Sequence, residues 1–162
     1  MRDKRRSRRL KRTVVALLIS GSLGITWGSA PAAAHPTPVA CRGGGSIAVS
    51  PTIAGEVRHL LAHARADGLA LCGSGYRSRA AQIAVRRANC GTSHYATWHA
   101  PAQSCSPPTA IPGRSMHQRG LAIDFHRCGA GSACYRWLRT HAAEFGLANL
   151  PSEPWHWSTN GQ

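Results

Sequence analysis

Ser115-Met116-His117-Gln118-Arg119-Gly120-Leu121-Ala122-Ile123-Asp124, followed near the end of the chain by Glu153-Pro154-Trp155-His156, is the pair of segments that decides how this sequence folds and what it can do. His117, His156 and Asp124 offer two imidazoles and one carboxylate, the donor set of a zinc site that keeps a coordination position open. Glu153 is a carboxylate left over beside a ligand, where it can act as a general base. Taken singly, each residue has an ordinary structural reading: a hydrogen-bonded histidine, a buried carboxylate paired to arginine, a solvated glutamate. Together they read differently, because Asp124 sits among Ala122, Ile123 and Phe125 and needs a strong partner to offset its burial.

Spacing constrains the geometry. His117 and Asp124 are seven residues apart, so on one straight strand they would point to opposite faces. The chain must break between them, and Gly120 is a suitable place, with His117 on the entering loop and Asp124 in the strand proper. Glu153 and His156 are three apart, and Pro154 discourages a helix interior. A bent entry into a final strand would bring both to one side.

Working outward, Ser50-Pro51 opens a helix in which Ile53, Val57, Leu60, Leu61 and Ala64 recur at helical spacing until Gly68. Leu69 to Cys72 reads as a short strand, and Ser78 to Asn89 as a second helix ended by Cys90-Gly91. Residues 92–114 read as a long loop that needs tying down. Residues 120–126 are strand-like, 133–145 helical with Trp137, Leu138 and Ala142 inward, and 155–158 a terminal strand. Helices and short strands mixed without regular alternation indicate an α+β class.

The first dozen residues hold eight of the chain's twenty basic residues, followed by an apolar stretch from Val14 to Trp27 and by Ala32-Ala33-Ala34. This is the pattern of a cleaved signal peptide over residues 1–34, too short in its apolar part for a membrane span. Ser7-Arg8-Arg9-Leu10-Lys11 loosely fits a twin-arginine signal, so the export route stays open. Residues 35–40, with Pro36 and Pro38, read as a flexible lead-in, and residues 41–162 as one domain. The chain carries a formal net charge of +14; residues 1–34 hold eight basic residues and one acidic residue, Asp3, which leaves +7 after cleavage, all of it arginine. Such a charge favours polyanions, and outside a bacterium these are anionic cell-wall polymers and stem-peptide carboxylates. No aromatic-interleaved basic stripe or nucleic-acid motif is present, so no nucleic-acid partner is expected. A monomer is the expectation.

All six cysteines, Cys41, Cys72, Cys90, Cys105, Cys128 and Cys134, lie beyond the signal, and no Cys-x-x-Cys spacing occurs. In an exported domain this implies up to three disulfides, with 15 possible pairings. The preferred pairing joins neighbours, Cys41 to Cys72, Cys90 to Cys105 and Cys128 to Cys134. His59 and His63 are four apart on the first predicted helix without a matching carboxylate, and read as a solvated face. His126 is the first choice among the other histidines for a contact near the cleft.

Ser115-x-His117-x-x-Gly120-x-Ala122-x-Asp124 followed by Glu153-Pro-Trp-His156, with Ser74-Gly75-Tyr76-Arg77-Ser78 and Gln82 upstream, closely resembles the zinc D-Ala-D-Ala carboxypeptidases of the VanY-like type. The resemblance covers most of the chain from Cys41 to Gly161. It implies the hedgehog/DD-peptidase fold, a small antiparallel sheet with helices packed on one side and a metal site on the sheet. It implies Zn2+ held by His117, Asp124 and His156, with Glu153 and Arg77 catalytic. Arg77 suits either the oxyanion of a tetrahedral intermediate or a substrate carboxylate. Ser115, Tyr76, Ser78, Gln82 and Trp155 are the candidate substrate contacts. The expected activity is removal of the terminal D-Ala from peptidoglycan stem peptides by a secreted or wall-associated bacterial enzyme. The alternatives are an endopeptidase acting on a crosslink or an L,D bond, and a non-catalytic zinc-containing wall-binding module. The presence of both Glu153 and Arg77 argues against the last, since a structural zinc needs neither.

Overall fold

The computed structural model describes residues 35–162. The expected signal segment, residues 1–34, lies outside them.

Two antiparallel sheets are present among the described residues. A hairpin joins β1 (Thr37–Ala40) to β2 (Ser46–Val49), with Val39 opposite Ile47. The second sheet has four strands in the order β3-β4-β6-β5: β3 (Gly73–Ser74), β4 (Ala122–Phe125), β5 (Ala148–Leu150) and β6 (Glu153–Ser158). Its helices are α1 (Ala54–Ala66), α2 (Arg79–Cys90), α3 (His94–Trp98) and α4 (Ala133–His141), with short 3-10 turns at Ala102–Ser104, His117–Arg119 and Ala142–Phe145.

Side chains alternate across a strand, so each face of the four-stranded sheet has one job. Ile123, Phe125 and Trp157 point into a single core with Val57, Leu60 and Ala64 of α1 and Trp137, Leu138 and Ala142 of the α4 region. Val39, Ile47 and Val49 of the hairpin close the same core. Asp124 and His156 point the other way. Neither α2 nor α3 contributes to that core. They are held instead by Arg86, fully buried on α2, whose guanidinium donates to the carbonyls of Ala96, at 2.9 Å, and of Ala100 and Thr109. A buried cation normally takes a carboxylate partner; here converging carbonyls satisfy its donors.

The disulfides join Cys41 to Cys72, Cys90 to Cys105 and Cys128 to Cys134. Cys90–Cys105 ties the loop after α2, and within that loop Ser93 caps α3 by accepting from the Ala96 amide at 3.0 Å, so residues 92–114 are not structureless throughout.

Several expected boundaries shift. The lead-in at residues 35–40 contains β1, because Val39 is buried and Gly43 to Gly45, all at positive φ, turn the chain back onto β2. Pro38 is tolerated because β1 lies at an edge. The first helix begins at Ala54 rather than at Ser50. Ser50 is pinned by its amide to the Gly120 carbonyl at 2.8 Å and uses its own carbonyl and hydroxyl in a turn with Ile53 and Thr52. The strand expected at Leu69–Cys72 is only Gly73–Ser74, immediately after it, where a Cβ at Gly73 would lie 2.5 Å from the Asp124 carbonyl oxygen.

Gly120 sits at φ 67° with space for a Cβ denied by the Ser50 amide at 2.6 Å. Gly120→Ala is therefore expected to lower stability by about 2–4 kcal/mol, from left-handed strain plus overpacking. Gly55→Ala on α1, where a Cβ meets nothing within 4 Å, is expected to raise it by about 0.5 kcal/mol. Urea-melt midpoints of the two variants check both signs.

Candidate functional site

Pairing of β4 with β6 places Asp124 directly opposite His156, so the two side chains leave the sheet on the same face. Ser74 of β3 pairs with Asp124 on the other side, completing a row across three strands. His117 reaches the same point from the 3-10 turn that ends at Gly120 in the left-handed conformation. That turn is fixed by the His117 carbonyl, which accepts from the amides of Gly120 and Arg77, both at 3.0 Å.

The three donor atoms converge. His156 Nδ1 lies 2.9 Å from Asp124 Oδ1, His117 Nε2 lies 3.2 Å from the same oxygen, and the two nitrogens are 3.3 Å apart. Tetrahedral zinc with bonds near 2.0 Å has ligand-to-ligand edges of about 3.3 Å, so this triangle is the size of one face of such a site.

The far nitrogens of both rings set the protonation. His117 Nδ1 faces the Gly75 carbonyl at 2.7 Å, and His156 Nε2 faces the Gln162 carbonyl at 3.0 Å. Each carbonyl requires an N–H, so in the neutral rings His117 Nε2 and His156 Nδ1 carry bare lone pairs aimed at the carboxylate oxygen. Three acceptors at one point repel one another unless a cation lies between them. The titration of the group points the same way. Burial pushes the Asp124 carboxyl up, but hydrogen bonds to His117 and His156 outweigh it and hold the group well below the usual range. Burial presses the His156 imidazole down, but the Asp124 and Gln162 oxygens raise it above its ordinary value. A protonated imidazole or a divalent ion would each supply the positive charge these directions favour, and the donor set of two imidazoles and one carboxylate fits the ion.

Asp124 divides its oxygens: Oδ1 serves the imidazoles, while Oδ2 accepts from Arg77 Nη2 at 3.3 Å. Arg77 Nη1 donates to Gln82 Oε1 at 3.0 Å, and Gln82 Nε2 donates to the Ala110 carbonyl at 2.9 Å. Arg77 is thus held in place beside the triangle, and its remaining N–H donors make no hydrogen bond among the described residues. Glu153 opens β6 and is half-buried; burial pushes its carboxyl above the ordinary value, and the charges of His156, Asp124, His117 and Arg77 all act on it. Its carboxylate makes no hydrogen bond among the described residues.

Glu153 and His156 share a side because β6 is irregular at its start. Asn149 pairs with Trp157 but Leu150 with Glu153, so one step on β5 spans four residues on β6. Asn149 pins this bulge, its Nδ2 donating to the carbonyls of Glu153 at 3.1 Å and His156 at 3.0 Å.

The other expected contacts separate into two groups. Tyr76, 43% exposed, lines a cavity of about 490 Å³ with Ser50, Gln118 and Arg119, and Trp155 is 39% exposed while Trp157 packs in the core. Ser115 is buried at the head of the His117 turn. Gln82 and Ser78 each have a partner within the protein, Gln82 buried and Ser78 exposed. Gln82 is 1% exposed and spends both ends of its amide on Arg77 and Ala110, so it is a positioning residue. The Ser78 hydroxyl caps α2 by accepting from the Ala81 amide at 3.1 Å. His126 meets Ser74 at 3.3 Å rather than any member of the triangle. Sequence reasoning passed over Asn149 and the Gly75 and Gln162 carbonyls; a backbone acceptor leaves no mark in side-chain identity, and Asn149 carried no motif.

Comparison with known proteins gives likenesses of three kinds. A family model described as VanY, D-alanyl-D-alanine carboxypeptidase, matches residues 46–162. A D-alanyl-D-alanine carboxypeptidase of Enterococcus faecalis is 32% identical over 112 residues, 58% of this chain and 41% of that protein, so the chain spans about two fifths of that relative's length. Two solved structures are 27% identical. One is a mutant of the vancomycin-resistance D,D-pentapeptidase VanY from a VanB-type cassette in complex with Zn(II), with TM-score 0.53 and 76% of this chain and 78% of that chain covered. The other is VanYB in complex with D-alanine-D-alanine, with TM-score 0.54 and 79% of each chain covered.

Because Asn149 holds the bulge that aims His156, Asn149→Ala is expected to weaken zinc binding by about tenfold, the lower end of what supporting residues of metal ligands contribute. Competition against a chelator of known affinity measures it, with circular dichroism confirming the fold.

Proposed function

This chain belongs to the VanY family of D-alanyl-D-alanine carboxypeptidases, and from that we propose that it is an exported zinc peptidase removing the terminal D-alanine from peptidoglycan stem peptides. The observation that carries the reading is the convergence of two bare imidazole nitrogens and one carboxylate oxygen with Glu153 and Arg77 alongside. His117, Asp124 and His156 would hold the ion. A zinc ion there supplies a Lewis acid with a net charge near +1 and brings the pKa of water toward 7.

The chain's own residues then divide the work. Glu153, left without a hydrogen bond and raised by burial, accepts the proton from the attacking water and delivers it to the nitrogen of the departing D-alanine. Arg77, locked between Asp124 and Gln82, presents its free N–H donors to the oxygen on which negative charge develops, or to the substrate's terminal carboxylate. Tyr76 and Trp155, exposed aromatics close in sequence to Arg77 and Glu153, offer flat apolar contacts for the peptide.

Export is supported by the basic and then apolar start of the chain, and by cysteines that all pair: no free cysteine remains among the described residues. A residual charge of +7 after cleavage favours retention at anionic wall polymers.

Incubation of the zinc-loaded protein with a stem pentapeptide is expected to release one alanine, read by mass spectrometry. Glu153→Gln is expected to lower kcat by about 10²–10⁴ with zinc still bound. Release of a dipeptide, or cleavage only of crosslinked peptide, would replace the carboxypeptidase reading with an endopeptidase one; no product from either substrate would sink the enzymatic reading.

A further inference from the structure

The histidine pair on α1, unused by the site above, meets a carboxylate that the linear sequence keeps far away. Arg58, His59, Ala62 and His63 line a cavity of about 600 Å³ together with Glu144 and Phe145. His141, the last residue of α4, packs its ring against that of His63. The ligand atoms of His63, His141 and Glu144 all lie within 4.8 Å of one another. The two rings are 5.2 Å apart at 90°, close to the 5.0 Å and 74° of His117 and His156 in the first site.

The His141 ring is the anchor. Its Nδ1 is buried and makes no hydrogen bond, and the nearest charge is Glu144 Oε1 at 3.5 Å. A buried ring nitrogen left without a partner is costly, and a ligand is one way to satisfy it. Trp137 fixes the ring orientation, its own ring lying 4.6 Å from His141 and 5.7 Å from His63, while its Nε1 donates to Asp67 Oδ2 at 2.7 Å.

We propose that His63, His141 and Glu144 form a second site for a divalent transition-metal ion of the zinc class. The donor set matches the first site, two imidazoles and a carboxylate, which suits zinc, copper or nickel. His59, one turn before His63 and lining the same cavity, stands ready as a fourth donor. His63 and Glu144 are exposed, so rotation of their free ends shortens the ligand-to-ligand distances to coordination length. Arg58 adds an opposing charge, which makes this site the weaker of the two. An ion there joins α1 to the 3-10 turn at Ala142–Phe145, two elements that already meet through apolar packing and the tilted His63–Phe145 ring contact at 5.8 Å. The site is independent of the catalytic reading and stands or falls without it.

The test is zinc stoichiometry and affinity on the full mature chain with its disulfides intact. Two ions per chain are expected, the second bound more weakly. His63→Ala, an exposed position that leaves the fold intact, is expected to weaken the second ion at least tenfold, and Glu144→Gln to weaken it in the same direction; His63→Ala/His141→Ala should abolish it. All three should leave peptide cleavage unchanged. His94 and His99, whose rings are also 5.2 Å apart but which have no carboxylate in their cluster, serve as the control pair. His94→Ala/His99→Ala should retain both ions. A single ion that survives His63→Ala/His141→Ala, a second ion unaffected by that double substitution, or its loss in the control pair would each overturn the proposal.

Discussion

The register between β4 and β6 is the constraint from which the rest follows. With Asp124 opposite His156, one carboxylate and one imidazole leave the sheet on the same face, while Ile123 and Trp157 on the neighbouring rung go into the core. A slip of one residue in either strand would exchange its faces, turning Asp124 or His156 toward α1 and α4 and exposing the core side chains of that strand. Burial of Ile123 and Trp157 against α1 and α4 therefore aligns the site as well as stabilising the fold.

Around that rung the molecule adds supports of a different kind. Gly75 and Gln162 contribute only backbone oxygens, yet those oxygens decide which nitrogen of each imidazole is bare. Asn149 stabilises the irregular start of β6, which is what brings Glu153 and His156 to one side. Gln82 and Asp124 hold Arg77 from both sides. A small domain cannot surround a polar cluster with much apolar mass, so it orients the cluster through hydrogen bonds and through crosslinks, of which Cys41–Cys72 ties the hairpin to the entry of β3.

The helices are held by different forces. Helices α1 and α4 pack against the sheet through apolar side chains, whereas α2 and α3 are organised by Arg86 and the Cys90–Cys105 disulfide. The arginine was not legible in the sequence as a structural residue, because eleven other arginines follow the expected signal segment and nothing local distinguishes this one. Its role comes from three carbonyls spread over residues 96–109 folding back onto it.

The sequence by itself determined the elements whose signals are local. Residues 79–90 form a helix after a capping Ser78, and residues 133–145 are helical with Trp137, Leu138 and Ala142 inside, because periodicity and caps act within a few residues. The break at Gly120 and the need for a bend before His156 were also legible, since alternation along a strand fixes which spacings can share a face. The tertiary structure alone decided what depends on distant partners. Thr37–Ala40 became a strand because β2 was there to pair with it; Ser50 lost its helix start to the Gly120 carbonyl; Gln82 turned to the Ala110 carbonyl and to Arg77. Whether a lone pair is bare, or a histidine on α1 finds a carboxylate on the turn after α4, depends on atoms brought together from far along the chain, and no local pattern encodes that meeting.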